Sequence, residues 1–131
     1  MRRRLVLLAA MGLSLAFPAL AAPLSERHKV VLYFPIWSAD FDTDAGKVID
    51  SAAKWASEHP GVPLDVAGYA SITGSRRANA LLSDLRAQVV KDRLVAKGVP
   101  ARLITILPKG GTRSIDNPLE SRRVEIYIDP R

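Results

Sequence analysis

Apolar and polar positions along the chain alternate between a two-residue and a 3.6-residue rhythm. Lys29 to Trp37 (KVVLYFPIW) is rich in β-branched and aromatic residues and predicts a first strand. Pro35 has no N–H for a ladder, so an edge or a bulge is expected there. Ala45, Val48, Ile49, Ala52 and Ala56 then recur at helical spacing. Asp42 or Thr43 is placed to cap that helix, and His59-Pro60-Gly61 to end it. Leu64 to Tyr69 predicts a second strand, and Gly68 to Ser75 (GYASITGS) a turn.

Ser75 is placed to cap a longer helix running to about Lys97. Within it Ser83, Ala87, Val90 and Leu94 form one small-and-apolar stripe, and Arg86 falls beside that stripe, at its edge. Gly98 suits the helix stop and Pro100 prevents resumption. Arg102 to Leu107 predicts a third strand, Pro108 to Glu120 a glycine-containing loop, and Arg123 to Ile128 a fourth strand. In that last strand Val124, Ile126 and Ile128 alternate with Glu125 and Tyr127. Strands interleaved with helices, and a last strand reached through a loop, predict an α+β sandwich with the helices on one face of the sheet.

Residues 1–21 stand apart. Met1 to Arg4 is basic, Leu5 to Phe17 is apolar, and Ala19-Leu20-Ala21 offers small residues for cleavage. This order reads as a secretory signal peptide cut before Ala22, leaving 22–131 as a single domain. The apolar run falls short of the roughly 20 residues a span needs, so no transmembrane segment is expected in the mature chain. The expected location is the periplasm, or outside the cell.

Charge and cysteine content narrow the function. The 131-residue chain has 19 Lys and Arg against 13 Asp and Glu, a formal net charge of +6. Without Arg2, Arg3 and Arg4, 16 basic residues face 13 acidic ones, or +3. That is too weak to argue for nucleic acid. The chain contains no cysteine, which excludes disulfides and thiolate chemistry and makes a lipid-anchored form unexpected. His28 and His59 are isolated, so no metal site is expected. Gly110-Gly111 reads as a turn, because no Lys-Ser/Thr pair follows as a phosphate loop requires. With no base–nucleophile pair and no cofactor loop, neither an enzyme nor a cofactor is expected.

The second half of the chain carries spaced motifs. Asn79 to Val90 reads N-x-x-L-S-x-x-R-A-x-x-V. Leu94, Gly98-Val99-Pro100 and Arg102-Leu103 follow, and Ser121 to Ile126 reads S-R-R-V-E-I. With Gly68-Tyr69-Ala70-Ser71 and Gly74, these resemble the OmpA C-terminal-like, peptidoglycan-binding family across Lys29 to Ile128. The resemblance implies a β-α-β-α-β-β two-layer sandwich on a mixed sheet. It also implies non-covalent binding of the diaminopimelate-containing stem peptide of the cell wall. In that family an aspartate in the turn after the second strand meets the ligand's ammonium, and the arginine of the R-A pair meets a carboxylate.

Carried onto this chain, the implied ligand-binding residues are Tyr69, Ser71, Asn79, Leu82, Arg86 and Arg122. Ser71 stands where the family has the aspartate and cannot neutralise an ammonium. Asp40 and Asp42 follow the first strand and are the acidic residues nearest to replacing it, although Asp42 reads first as a helix cap. Arg86 has the planar fork that suits a carboxylate. Trp37 and Trp55 read as core or rim residues, and Arg76-Arg77 as a solvated helix start. A second reading keeps the fold with an altered pocket that takes another envelope protein or a different anionic ligand.

Overall fold

The computed structural model describes residues 28–112 and 118–128, and the signal-peptide reading of 1–21 lies outside them. Four strands form one mixed sheet. They are β1 (His28–Tyr33), β2 (Leu64–Ser71), β3 (Ile104–Thr112) and β4 (Arg123–Ile128). Their order is β1-β4-β2-β3. β4 pairs antiparallel with both β1 and β2, whereas β2 and β3 pair parallel. Helices α1 (Thr43–Glu58) and α2 (Arg76–Ala96) are the crossovers β1-to-β2 and β2-to-β3. A core built from Leu32, Phe34, Ile49, Ala53, Val66, Ala87, Val90, Leu94, Val124 and Ile126 draws on both helices and one face of the sheet. This is the expected two-layer α+β sandwich.

The predicted caps form. Asp42 accepts from the Ala45 N–H at 2.8 Å, which settles the first cap between Asp42 and Thr43. Ser75 accepts from the Ala78 N–H at 3.2 Å. Gly98, at φ 101°, takes the left-handed step that ends α2. The stripe Ser83, Ala87, Val90 and Leu94 is buried, as are Asn79 and Arg86. Asp50 on α1 accepts both Arg93 Nε (2.9 Å) and Nη2 (3.0 Å) from α2, a two-pronged clamp between the helices.

Four boundaries depart from the sequence reading. β1 ends at Tyr33 rather than Trp37. Phe34 N–H still donates to the Arg122 carbonyl (2.7 Å), but Pro35 has no N–H and the chain turns, with Ser38 N–H donating back to Pro35 O at 3.3 Å. β2 continues to Ser71, so Gly68 belongs to a strand and not to a turn. A Cβ at Gly68 would lie 2.0 Å from the Ser83 carbonyl oxygen, so α2 packs against a strand position without a side chain. β3 starts two residues late, because Ala101–Leu103 forms a 3-10 turn. It then continues through Pro108 to Thr112, where a loop was expected. β3 is an edge strand, where a proline without an N–H is tolerated. The turn expected at Gly110-Gly111 is therefore strand, with a bulge at Lys109-Gly110 opposite Tyr69 and Gly111 paired with Ala70. The register shifts between Gly68 and Ala70, Gly110 adopts φ 69°, and its N–H donates to Ser83 Oγ at 3.0 Å.

The other face of the sheet holds a buried carboxylate. Glu125 accepts from Lys29 Nζ (3.2 Å), Arg123 Nε (3.0 Å) and the hydroxyls of Tyr69 (3.3 Å) and Tyr127. The Arg123 guanidinium stacks 3.9 Å from the Tyr69 ring centre. Burial alone pushes the Glu125 carboxyl up, but hydrogen bonds from Tyr127, Arg123 and Lys29 outweigh it and hold the group below its ordinary value.

Candidate functional site

Three segments meet beyond the ends of β1 and β2: the turn Pro35–Ser38, the residues from Ser71 into the first turns of α2, and Ser121-Arg122 before β4. Between them lies a cavity of about 220 Å³ lined by Ile36, Trp37, Ser71, Thr73, Asn79, Leu82, Arg86, Ser121 and Arg122. Five of the six residues implied by the resemblance line it. Tyr69 does not: its side chain turns to the opposite face and donates to Glu125. What Tyr69 contributes to the site is its carbonyl.

That carbonyl is one of three held by Arg86. Nη1 donates to Tyr69 O (3.0 Å), Nη2 to Pro35 O (3.0 Å) and Nε to Ser38 O (2.8 Å). Arg86 is only 1% exposed, deeper than the stripe-edge position that spacing suggested. Burial, and then the nearby positive charge of Arg122, push its pKa down to about 10, so it remains a cation near neutral pH. The Phe34 ring centre lies 5.4 Å from its guanidinium carbon. Two of the three guanidinium bonds thus tie the Pro35–Ser38 turn to α2.

Arg122 is placed differently. It is half-buried, and among the described residues Nε alone is committed, to the Phe34 carbonyl at 3.0 Å. Its two Nη groups have no hydrogen-bond partner among the described residues, and their fork has the geometry that matches a carboxylate. Asn79 donates from Nδ2 to the carbonyls of Thr73 (2.8 Å) and Ser75 (3.0 Å), which fixes the orientation of its amide. Its Oδ1 is buried and has no hydrogen-bond partner among the described residues. Ser71 Oγ accepts from the Thr73 N–H at 3.0 Å, which shapes the turn.

No acidic side chain lines the cavity among the described residues. Asp42 is committed to the α1 cap, and Asp40 is exposed with its N–H on Ser38 Oγ. A neighbouring groove of about 440 Å³ shares Ser71 and Asn79 and adds Arg76 and Lys109, again cationic. Among the described residues no cluster of three or more His, Cys, Asp or Glu is spaced to hold a metal ion, and no helix is long and apolar enough to cross a membrane.

Sequence reasoning did not foresee Ile36, Thr73 and Ser121 in the lining, and it left Trp37 as a core or rim residue. Trp37 is rim: it is 59% exposed and sits at φ 51° in the Pro35–Ser38 turn. Its ring lies over Gly74, where a Cβ would come within 3.6 Å of the indole. The misplaced end of β1 concealed this turn.

The model of the OmpA family matches residues 33–124, which include every segment of this cavity. The chain belongs to the OmpA family. Its similar relatives include the peptidoglycan-associated lipoprotein of Rhizobium meliloti, 29% identical over 81% of this chain and 62% of that one. The Agrobacterium fabrum protein of the same name is 29% identical over 64% of this chain and 48% of that one. The chain thus spans about half to three fifths of these relatives' lengths. Among solved structures, the peptidoglycan-associated lipoprotein of Burkholderia pseudomallei superposes with a TM-score of 0.68 at 20% identity, covering 81% of this chain and 92% of that one. The C-terminal domain of Helicobacter pylori MotB gives 0.66 at 25% identity, covering 74% and 81%. The mixed four-stranded sheet with two helices is the OmpA-like fold.

Proposed function

We propose that this domain is a non-catalytic module of the periplasm that binds peptidoglycan non-covalently, through a carboxylate of the stem peptide. The observation that carries this reading is the half-buried Arg122 fork beside Arg86, in a cavity without an acidic lining residue among those described. The names of the relatives, peptidoglycan-associated lipoproteins, support the same ligand.

The test is co-sedimentation with purified sacculi. Removing one partner of a partly desolvated charge pair costs about 2–5 kcal/mol, and 1.4 kcal/mol is a factor of ten. Arg122→Ala should therefore weaken wall binding at least about 30-fold. Wild-type protein that stays in the supernatant would defeat the proposal. Exposed Ile36, Trp37 and Ile72 favour one rival, an envelope protein docked over the cavity mouth. That rival predicts no sedimentation with sacculi, and binding to envelope extract that Trp37→Ala abolishes.

A further inference from the structure

We propose that the pocket takes a carboxylate whose neighbouring nitrogen is acylated, so that in the wall it prefers cross-linked stem peptides to those with a free side-chain amine. This rests on the wall-binding reading and names the chemical form of the ligand. The diamino-acid side chain of a stem peptide ends in a carboxylate beside an amine. Cross-linking turns that amine into an amide and leaves the carboxylate in place. The two forms differ by one positive charge at the same position, and the site is built to register that difference.

The charges come first. Arg86 and Arg122 both line the cavity, and among the described residues no carboxylate does. An ammonium entering beside the bound carboxylate would meet two like charges and lose its hydration without a carboxylate partner from the described residues. The acidic residues that follow β1 do not replace one, since Asp42 caps α1 and Asp40 lies outside the lining.

The acceptors come second. What the site offers to a nitrogen is neutral. Asn79 lines the cavity; its Oδ1, closed off from water, has no hydrogen-bond partner among the described residues, and the amide is held that way round because Nδ2 serves two carbonyls. Ser71 Oγ already accepts from Thr73 N–H and keeps further acceptor capacity. A neutral acceptor in a desolvated site suits an amide N–H, which has one hydrogen to satisfy. It suits an ammonium poorly, with three hydrogens and a charge. The lip comes third. Ile36, Trp37 and Leu82 supply apolar surface on the same cavity, where an acyl group would bury its methyl and carbonyl carbon.

The experiment titrates the wild-type domain with two probes. One is a monomeric muropeptide with a free side-chain amine; the other is the same muropeptide N-acetylated at that amine. The acetylated probe should bind about tenfold tighter, the scale set by an uncompensated charged contact. Ser71→Asp should reverse the order, and its gain for the free amine should fall with salt. Circular dichroism of Ser71→Asp checks that the turn survives. Equal affinity for both probes, or a wild-type preference for the free amine, would overturn the inference while sedimentation with sacculi left the wall reading standing. Binding to neither probe nor sacculi would overturn both.

Discussion

Arg86 reaches across to both sides of Trp37, donating to the carbonyl of Pro35 at 3.0 Å and to that of Ser38 at 2.8 Å. The turn that carries the exposed indole is thus tied to α2 by a single guanidinium, whose remaining bond holds Tyr69 O on β2.

This arrangement sets the outcome of Arg86→Lys. A lysine ammonium has three donors on one atom and cannot reach carbonyls that the guanidinium meets along three separate directions. Hydrogen bonds from charged groups contribute about 1.5–3 kcal/mol each, and abandoned buried carbonyls add to the loss. Arg86→Lys should destabilise the domain by about 3 kcal/mol or more. In a Trp55→Phe background, Trp37 emission should shift to the red as its turn loosens. An unchanged midpoint and spectrum would show that Arg86 serves a ligand and not the loop.

Gly68→Ala should be more damaging than its single methyl suggests. The added Cβ would sit 2.0 Å from Ser83 O and 3.1 Å from Ala87 Cβ. The first of these is helix backbone and cannot rotate aside. α2 must then move off β2, taking Asn79, Leu82 and Arg86 with it. Overpacking of this kind costs about 1–3 kcal/mol where side chains give way, and more where backbone must. Thermal unfolding should show a loss at the upper end or beyond, and near-native stability would mean that α2 is free to slide.

Much of this was legible in the sequence, and the exceptions are instructive. The stripe from Ser83 to Leu94 and the caps Asp42 and Ser75 are local signals, and they form as read. Pro108 and Gly110-Gly111 also look like local signals, yet β3 runs through them. Whether a strand lies at an edge, and whether its partner needs a bulge, depends on strand order. The site shows the same division. Ser71, Asn79, Leu82, Arg86 and Arg122 were implied by the family resemblance and line one cavity. Tyr69 belonged to the same motif, but the two-residue alternation of β2 sends its side chain to the Glu125 face. Trp37 was hidden because its turn is made by an arginine 49 positions away in sequence.

Glu125 should make stability fall in acid. Its folded-state value lies below the ordinary 4.5, so its contribution is complete above that pH and is lost as the pH drops through the folded value. Glu125→Gln keeps the volume and removes the charge, and should cost about 1.5–3 kcal/mol at pH 7. The gap between variant and wild type should close as both are taken to a pH below the folded value of Glu125. Urea unfolding at the two pH values checks this; a gap that stays constant would mean that charge is not what the Lys29, Arg123, Tyr69 and Tyr127 contacts recognise.

Trp37 should show strain retained for binding. A type II-like turn puts its third residue at positive φ, where glycine or asparagine is usual, and here a tryptophan occupies it at φ 51°. A non-glycine residue held there costs of order 1–3 kcal/mol. The ring returns little of that through burial, being 59% exposed and resting on Gly74. Asparagine tolerates the left-handed region through its short polar side chain. Trp37→Asn should therefore raise stability by about 0.5–1 kcal/mol, which moves the midpoint up by a few degrees in a domain of this size. The same change removes the largest apolar surface from the cavity lip, and binding to sacculi should weaken by about tenfold, or 1.4 kcal/mol. Stability and binding moving in opposite directions would mark Trp37 as a ligand contact. A variant that loses stability and keeps its affinity would assign the indole to the fold alone.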